Sequence, residues 1–195
     1  MLWNIPNILT VLRIALIPVF VGIFYLPKDA MTLAAFPAHW VNLTATIVFA
    51  LAAITDWLDG YWARKFNQMS GFGAFLDPVA DKLMVAAALI VLVEFERIGA
   101  VIALIIIGRE IAISALREWM ANIGKSSNVA VAMIGKIKTA AQMIAILLLL
   151  YYDNIGHFNT KLVGQVLIVI AAILTLVSMA YYLKAAWPVM KDSMK

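Results

Sequence analysis

The chain has 195 residues, of which 65% are hydrophobic and 13% charged, with a formal net charge of +4 and no cysteine. A soluble domain of this length cannot hide so much apolar surface, which leaves the bilayer as the solvent. The missing cysteines exclude a disulfide framework and thiol chemistry. With no soluble basic domain to carry it, the positive charge fits anionic lipid headgroups and excludes nucleic acid as a partner.

The chain opens with "MLWNIPNILT". No small-residue cleavage signature follows, so this stretch reads as retained. Trp3 suits the headgroup level, and Pro6 suits a helix start, where its missing N–H needs no partner. A short interfacial segment feeding the first span is expected.

A membrane-spanning helix needs about 20 apolar residues. Six such stretches follow: Ile8–Leu26, Trp40–Ala63, Phe72–Val93, Gly99–Met120, Val129–Tyr151 and Leu162–Leu183. No internal repeat or low-complexity linker separates them. The expected fold is an all-α membrane protein of six transmembrane helices, with residues 1–195 forming a single domain. Six spans put both termini on one side. That side receives Arg13, Arg64, Lys65, Lys82, Arg109, Arg117, Lys125, Lys136, Lys138, Lys184, Lys191 and Lys195. The other receives only Lys28, Arg97 and Lys161, so the positive-inside rule places the termini in the cytoplasm.

Where the second span ends and the third begins, "TDWLDGYWARKFNQMSGFGAFLDPVADKL" holds four of the chain's seven aspartates. Asp56 and Asp59 are three apart, and Asp77 and Asp81 four apart, which places each pair on one helical face. Ser70 and Gly71 mark a turn between the spans. Antiparallel second and third spans would then turn the two aspartate faces towards one another near the cytoplasmic surface. Carboxylates so placed must take up protons or hold cations, because their repulsion is large at low dielectric. Hard oxygen ligands favour Mg²⁺, Mn²⁺ or Ca²⁺ over zinc, and two ions shared among four carboxylates make a phosphoryl-transfer site. An ion or proton transporter also keeps acidic groups at depth, but those proteins often carry an inverted repeat, and none is visible here.

Gly60, Ala63 and Gly73 lie beside these aspartates, where a missing side chain admits a ligand or serves as a helix packing point. Arg64 is placed to reach a diphosphate or to snorkel to the interface. Pro78 frees a carbonyl in the preceding turn if the helix has already begun there.

The order Asp56-x2-Asp59-Gly60-x2-Ala63-Arg64, eight residues, then Gly73-x3-Asp77-x3-Asp81 resembles the signature of the CDP-alcohol phosphotransferase family at every specified position. "NIPNILTVLRI", "REIAISALREWM" and "IGKIKTAAQ" extend the resemblance to bacterial members that act on CDP-diacylglycerol and sn-glycerol 3-phosphate. The resemblance implies six transmembrane helices, a homodimer in the bacterial inner membrane, and an active site open to the cytoplasm. It implies that Asp56, Asp59, Asp77 and Asp81 hold two Mg²⁺ or Mn²⁺ ions, with Asp81 also acting as general base on the acceptor hydroxyl. Gly60, Ala63, Arg64, Ser70 and Gly73 would line the CDP-diacylglycerol pocket together with Asp56, and Asn7 and Thr10 would lie beside the nucleotide.

Further along, Arg109 and Arg117 are eight apart, roughly one face of a helix, and Lys136 and Lys138 open the fifth span on the same side. Arginine grips a phosphate with its planar fork and lysine adds a point charge. These four are the candidate pocket for the phosphate of the acceptor alcohol. That phosphate favours glycerol 3-phosphate over serine, while an inositol phosphate carries the same charge. His39 and His157 fall in loops on the opposite side and read as surface residues.

Overall fold

The computed structural model describes residues 5–26, 37–66, 71–122 and 132–193, and nothing outside those ranges is interpreted. The described residues form six helices: α1 (Ile5–Ile23), α2 (Ala38–Phe66), α3 (Gly71–Glu94), α4 (Ala100–Asn122), α5 (Ala132–Tyr151) and α6 (Thr160–Ser193). Beyond one isolated bridge between Ile155 and Phe158, they hold no β-structure. Within the described residues, each of the six apolar stretches therefore carries a helix. Two segments, Ala38–Asp56 and Thr160–Pro188, are long and apolar enough by themselves to cross a membrane.

Residues 1–4 of the expected interfacial segment lie outside the described residues, and α1 is already helical at Ile5. Pro6 sits in its first turn, where proline costs no hydrogen bond and its fixed φ suits a helix. At the other end, α6 runs ten residues past Leu183, to Ser193. Pro188 lies inside it and does not end it.

The core follows helical periodicity. Phe20 and Ile23 of α1, with Phe24 just past its end, are buried in one cluster with Val41, Ala45 and Phe49 of α2 and Leu89 and Leu92 of α3. Here α1 packs on both α2 and α3, while α2 and α3 touch each other sparingly. The direct meeting of the second and third spans expected from their short connection is thus replaced by a wedge. α5 packs most extensively on α6, where Gly164 gives the closest approach: a Cβ there would lie 2.8 Å from Leu149 Cγ.

One end of the bundle is tied by Arg97, in the turn between α3 and α4. α3 closes with bonds from Arg97 N–H to Leu92 O (2.8 Å) and Glu96 N–H to Val93 O (3.0 Å), with Glu96 left-handed at φ 54°. This is a Schellman cap with glutamate in the usual glycine position. The Arg97 guanidinium then donates to Leu149 O (2.8 Å), Leu150 O (2.7 Å) and Asn42 Oδ1 (2.6 Å). It stacks on Tyr152 at 4.4 Å from the ring centroid. The last carbonyls of α5 have no partner within their own helix, and Arg97 supplies one. Burial pulls the guanidinium down from its ordinary pKa, and Tyr152 and Asp153 draw it back up. His39, on the same end, pairs with Asp153 at 3.0 Å (Nδ1 to Oδ2) and is exposed, as the sequence implied.

Candidate active site

The opposite end carries the aspartates. From Ala38 to Asp56, α2 rises about 28 Å, close to the thickness of a hydrocarbon core. Asp56 therefore falls at the far end of an apolar segment long enough to cross a membrane, and the helix continues for ten more residues to Phe66. α3 begins at Gly71, so Pro78 is well inside the helix and leaves the carbonyl four residues earlier without its helical partner, immediately beside Asp77.

α1 brings three polar residues to this end on one face: Asn7, Thr10 and Arg13, spaced three apart and all buried. Thr10 Oγ1 donates to Asp77 Oδ1. Arg13 Nη1 donates to both Asp56 Oδ1 (2.9 Å) and Asp81 Oδ1 (2.8 Å). One nitrogen on α1 thus joins a carboxylate of α2 to a carboxylate of α3. Asp56 and Asp81 converge on one cationic side chain, supplied by a third helix where the sequence suggested direct meeting of the second and third spans.

A divalent cation fits this donor set in chemistry, since the converging groups are carboxylate oxygens and already hold a positive charge between them. Among the described residues, no three acidic, histidine or cysteine side chains cluster closely enough to hold a metal ion. Asp59 lies on α2 with its side chain outside the described set, as do Gly60, Ala63 and Arg64 on α2 and Lys136 on α5. Ser70 lies outside the described residues, and Gly73 is buried in the first turn of α3.

A cavity of about 660 Å³ leads away from the aspartates. Arg13, Asp56, Asp81 and Lys82 line it, as do Glu110, Lys138 and Gln142, with Phe49, Met84, Ile106 and Met143 among the apolar residues between. This volume suits a ligand pocket, and the mix of apolar wall and few polar groups suits an amphipathic ligand. Lys138 and Gln142, four apart on α5, are both buried. Lys138 Nζ donates to Glu110 Oε1.

The two arginines of the expected phosphate pocket stand next to this group and do not line the cavity. Arg109 is buried and donates through Nη1 to Glu110 Oε1 (3.4 Å) and through Nη2 to Ser178 Oγ of α6 (2.9 Å). Tyr182, one turn beyond Ser178, has its ring 5.6 Å from Arg109 Cζ and 6.0 Å from Arg117 Cζ. Arg109 and Lys138 thus meet at Glu110, and Arg109 and Arg117 meet at Tyr182.

Arg13, Glu110, Gln142, Ser178 and Tyr182 were not foreseen as site residues. A signal existed for Arg13: a charge inside an apolar span is a functional marker, whereas the orientation tally treats it as an anchor. Ser178 and Tyr182 gave none, because small polar and aromatic residues are ordinary in membrane helices.

Residues 3–177 match the family model for CDP-alcohol phosphatidyltransferase. The chain is 50% identical over 188 residues to the CDP-diacylglycerol–glycerol-3-phosphate 3-phosphatidyltransferase of Shigella flexneri serotype 5b (strain 8401), covering 95% of this chain and 96% of that one. It is 49% identical, with the same coverage, to the enzymes of that name from Salmonella typhimurium (strain LT2) and Escherichia coli (strain K12). The chain belongs to the CDP-alcohol phosphatidyltransferase family.

Proposed function

We infer that this chain transfers the phosphatidyl group of CDP-diacylglycerol to sn-glycerol 3-phosphate, giving phosphatidylglycerophosphate and CMP. The observation that carries the reading is the cavity joining Asp56 and Asp81 to the Lys138–Glu110 pair. Near-complete similarity to enzymes named for this reaction supports it.

The primary hydroxyl of the acceptor attacks the lipid phosphorus, the phosphorus–oxygen bond to CMP breaks, and Asp81 takes the hydroxyl proton. An alcohol is a poor nucleophile at neutral pH, so a carboxylate within reach of that proton contributes directly. Asp56, Asp59, Asp77 and Asp81 would hold Mg²⁺ or Mn²⁺, two ions in all. When bound, such ions neutralise the diphosphate and the charge developing on departing CMP. Asn7, Thr10, Gly60, Ala63, Arg64, Ser70 and Gly73 would receive the CDP moiety, with Thr10 also orienting Asp77. Arg109, Arg117, Lys136 and Lys138 would bind the phosphate of the acceptor, held in register by Glu110, Ser178 and Tyr182.

All six helices cross the bacterial inner membrane, with the aspartate end and both termini cytoplasmic, and residues 1–195 act as one domain in a homodimer. Bilayer lipid surrounds α6, whose Val166, Val169, Ile173 and Val177 are exposed. Purified protein is expected to release CMP from CDP-diacylglycerol only with glycerol 3-phosphate and Mg²⁺ or Mn²⁺ together. Product identification across glycerol 3-phosphate, inositol phosphate and serine tests the acceptor. A phospholipid formed from either of the other two in preference would overturn the assignment.

A further inference from the structure

Arg13 holds carboxylate oxygens that a divalent cation would need. Its Nη1 reaches two carboxylates on two helices, at 2.9 Å to Asp56 Oδ1 and 2.8 Å to Asp81 Oδ1. The side chain is 2% exposed, so it reaches these oxygens from inside the bundle and not from solvent. We propose that Arg13 is a tethered counterion of the aspartate cluster, competing with divalent cations for Asp56 and Asp81 and leaving both when a cation binds.

The inference rests on the reading of these aspartates as metal ligands. Its physical basis is charge and distance. A guanidinium carries one positive charge about 2.8 Å from oxygen, whereas Mg²⁺ carries two at about 2.1 Å. The smaller, doubly charged ion wins the oxygens at sufficient concentration, and the two positive groups then repel across a few ångströms. Arg13 is fixed to α1 by the buried stripe that continues through Phe20 and Phe24, so it withdraws by rotating its side chain. Competition keeps the carboxylates neutralised and in place between turnovers, at the cost of weaker cation affinity.

The test uses full-length protein in detergent micelles, with Mn²⁺ as the probe and binding read by electron paramagnetic resonance of the free ion. Arg13→Gln is expected to bind Mn²⁺ about tenfold more tightly than wild type, because a nearby positive charge has gone. In chelator this variant should unfold at lower temperature than wild type, and saturating Mn²⁺ should close most of that gap. Unchanged or weaker Mn²⁺ binding by folded Arg13→Gln would overturn the proposal. Should that variant fail to fold, wild-type protein labelled with ¹⁵N-arginine decides. Saturating Mg²⁺ is expected to shift one guanidinium resonance, assigned by its loss in Arg13→Lys, and a resonance that stays in place would overturn the proposal. Wild-type protein that binds no Mn²⁺ would overturn the metal-ligand reading and this inference with it. Ordinary wild-type binding with no change in Arg13→Gln overturns this inference alone.

Discussion

Asp81 accepts from Arg13 and lines the cavity, and in the proposed reaction it takes the acceptor's hydroxyl proton. Replacing it with asparagine keeps the shape and removes the base, so CMP release should fall by at least about 100-fold, as expected for loss of general-base catalysis. Steady-state CMP release, alongside a thermal-unfolding control, checks this. Tyr182 acts at a distance from the chemistry, through two arginines whose Cζ atoms lie 5.6 and 6.0 Å from its ring. Cation–π contacts of this kind contribute about 0.5–2 kcal/mol, more where water is excluded. Tyr182→Ala should therefore raise the KM for glycerol 3-phosphate about tenfold, equivalent to about 1.4 kcal/mol, with the KM for CDP-diacylglycerol unchanged. Tyr182→Phe keeps the ring and should stay close to wild type. Equal effects on both substrates, or failure of phenylalanine to rescue, would make Tyr182 a packing residue only.

At the scale of helices, two close fits hold the end of the bundle that lies away from the aspartates. Gly164 lets α6 approach α5 where a Cβ would meet Leu149 Cγ at 2.8 Å, and Leu149 is fully buried. Gly164→Val should lower thermal stability by the equivalent of about 1–3 kcal/mol, the usual cost of overpacking a well-packed core. The unfolding midpoint in detergent measures it. Arg97 ties α2, α5 and the α3–α4 turn through bonds to Asn42, Leu149 and Leu150. Arg97→Met removes three donated bonds while keeping much of the side-chain volume. A buried acceptor left without a partner costs about 1–3 kcal/mol, so this variant should unfold earlier than wild type. Its KM values at low temperature should be unaltered, because Arg97 lies at the end of the bundle away from the aspartates. A changed KM would contradict a purely structural role.

For the whole molecule, the arrangement makes a polar site at one end of an apolar bundle and a neutralised knot at the other. The proposed orientation puts the first end in the cytoplasm. Because the chain has no cysteine, single cysteines introduced at exposed Asn154 and exposed Lys191 report on the two ends without background. In intact cells a membrane-impermeant thiol reagent should label position 154 only, and disruption of the membrane should expose position 191. The reverse pattern would invert the topology.

Much of this was legible in the chain itself. Six apolar runs of helical length carry the six helices of the described residues, because a helix satisfies its backbone amides within the run itself. The spacing of Asp56, Asp59, Asp77 and Asp81 announced the site and the family, since i+3 and i+4 intervals are local properties of a helix. Which helix would stand between the aspartates was not local. The sequence read α2 and α3 as a facing pair, but α1 wedges between them and Arg13 bridges the carboxylates. Likewise, nothing in the neighbours of Arg97 or Ser178 along the chain pointed to the α5 carbonyls or to Arg109. The sequence by itself determined the helices, the spacing of the aspartates and the family. Only the tertiary structure decided how the buried charge of Arg13 is neutralised, because a charge removed from water must find its partner in space, and its carboxylate partners lie 43 and 68 residues away along the chain.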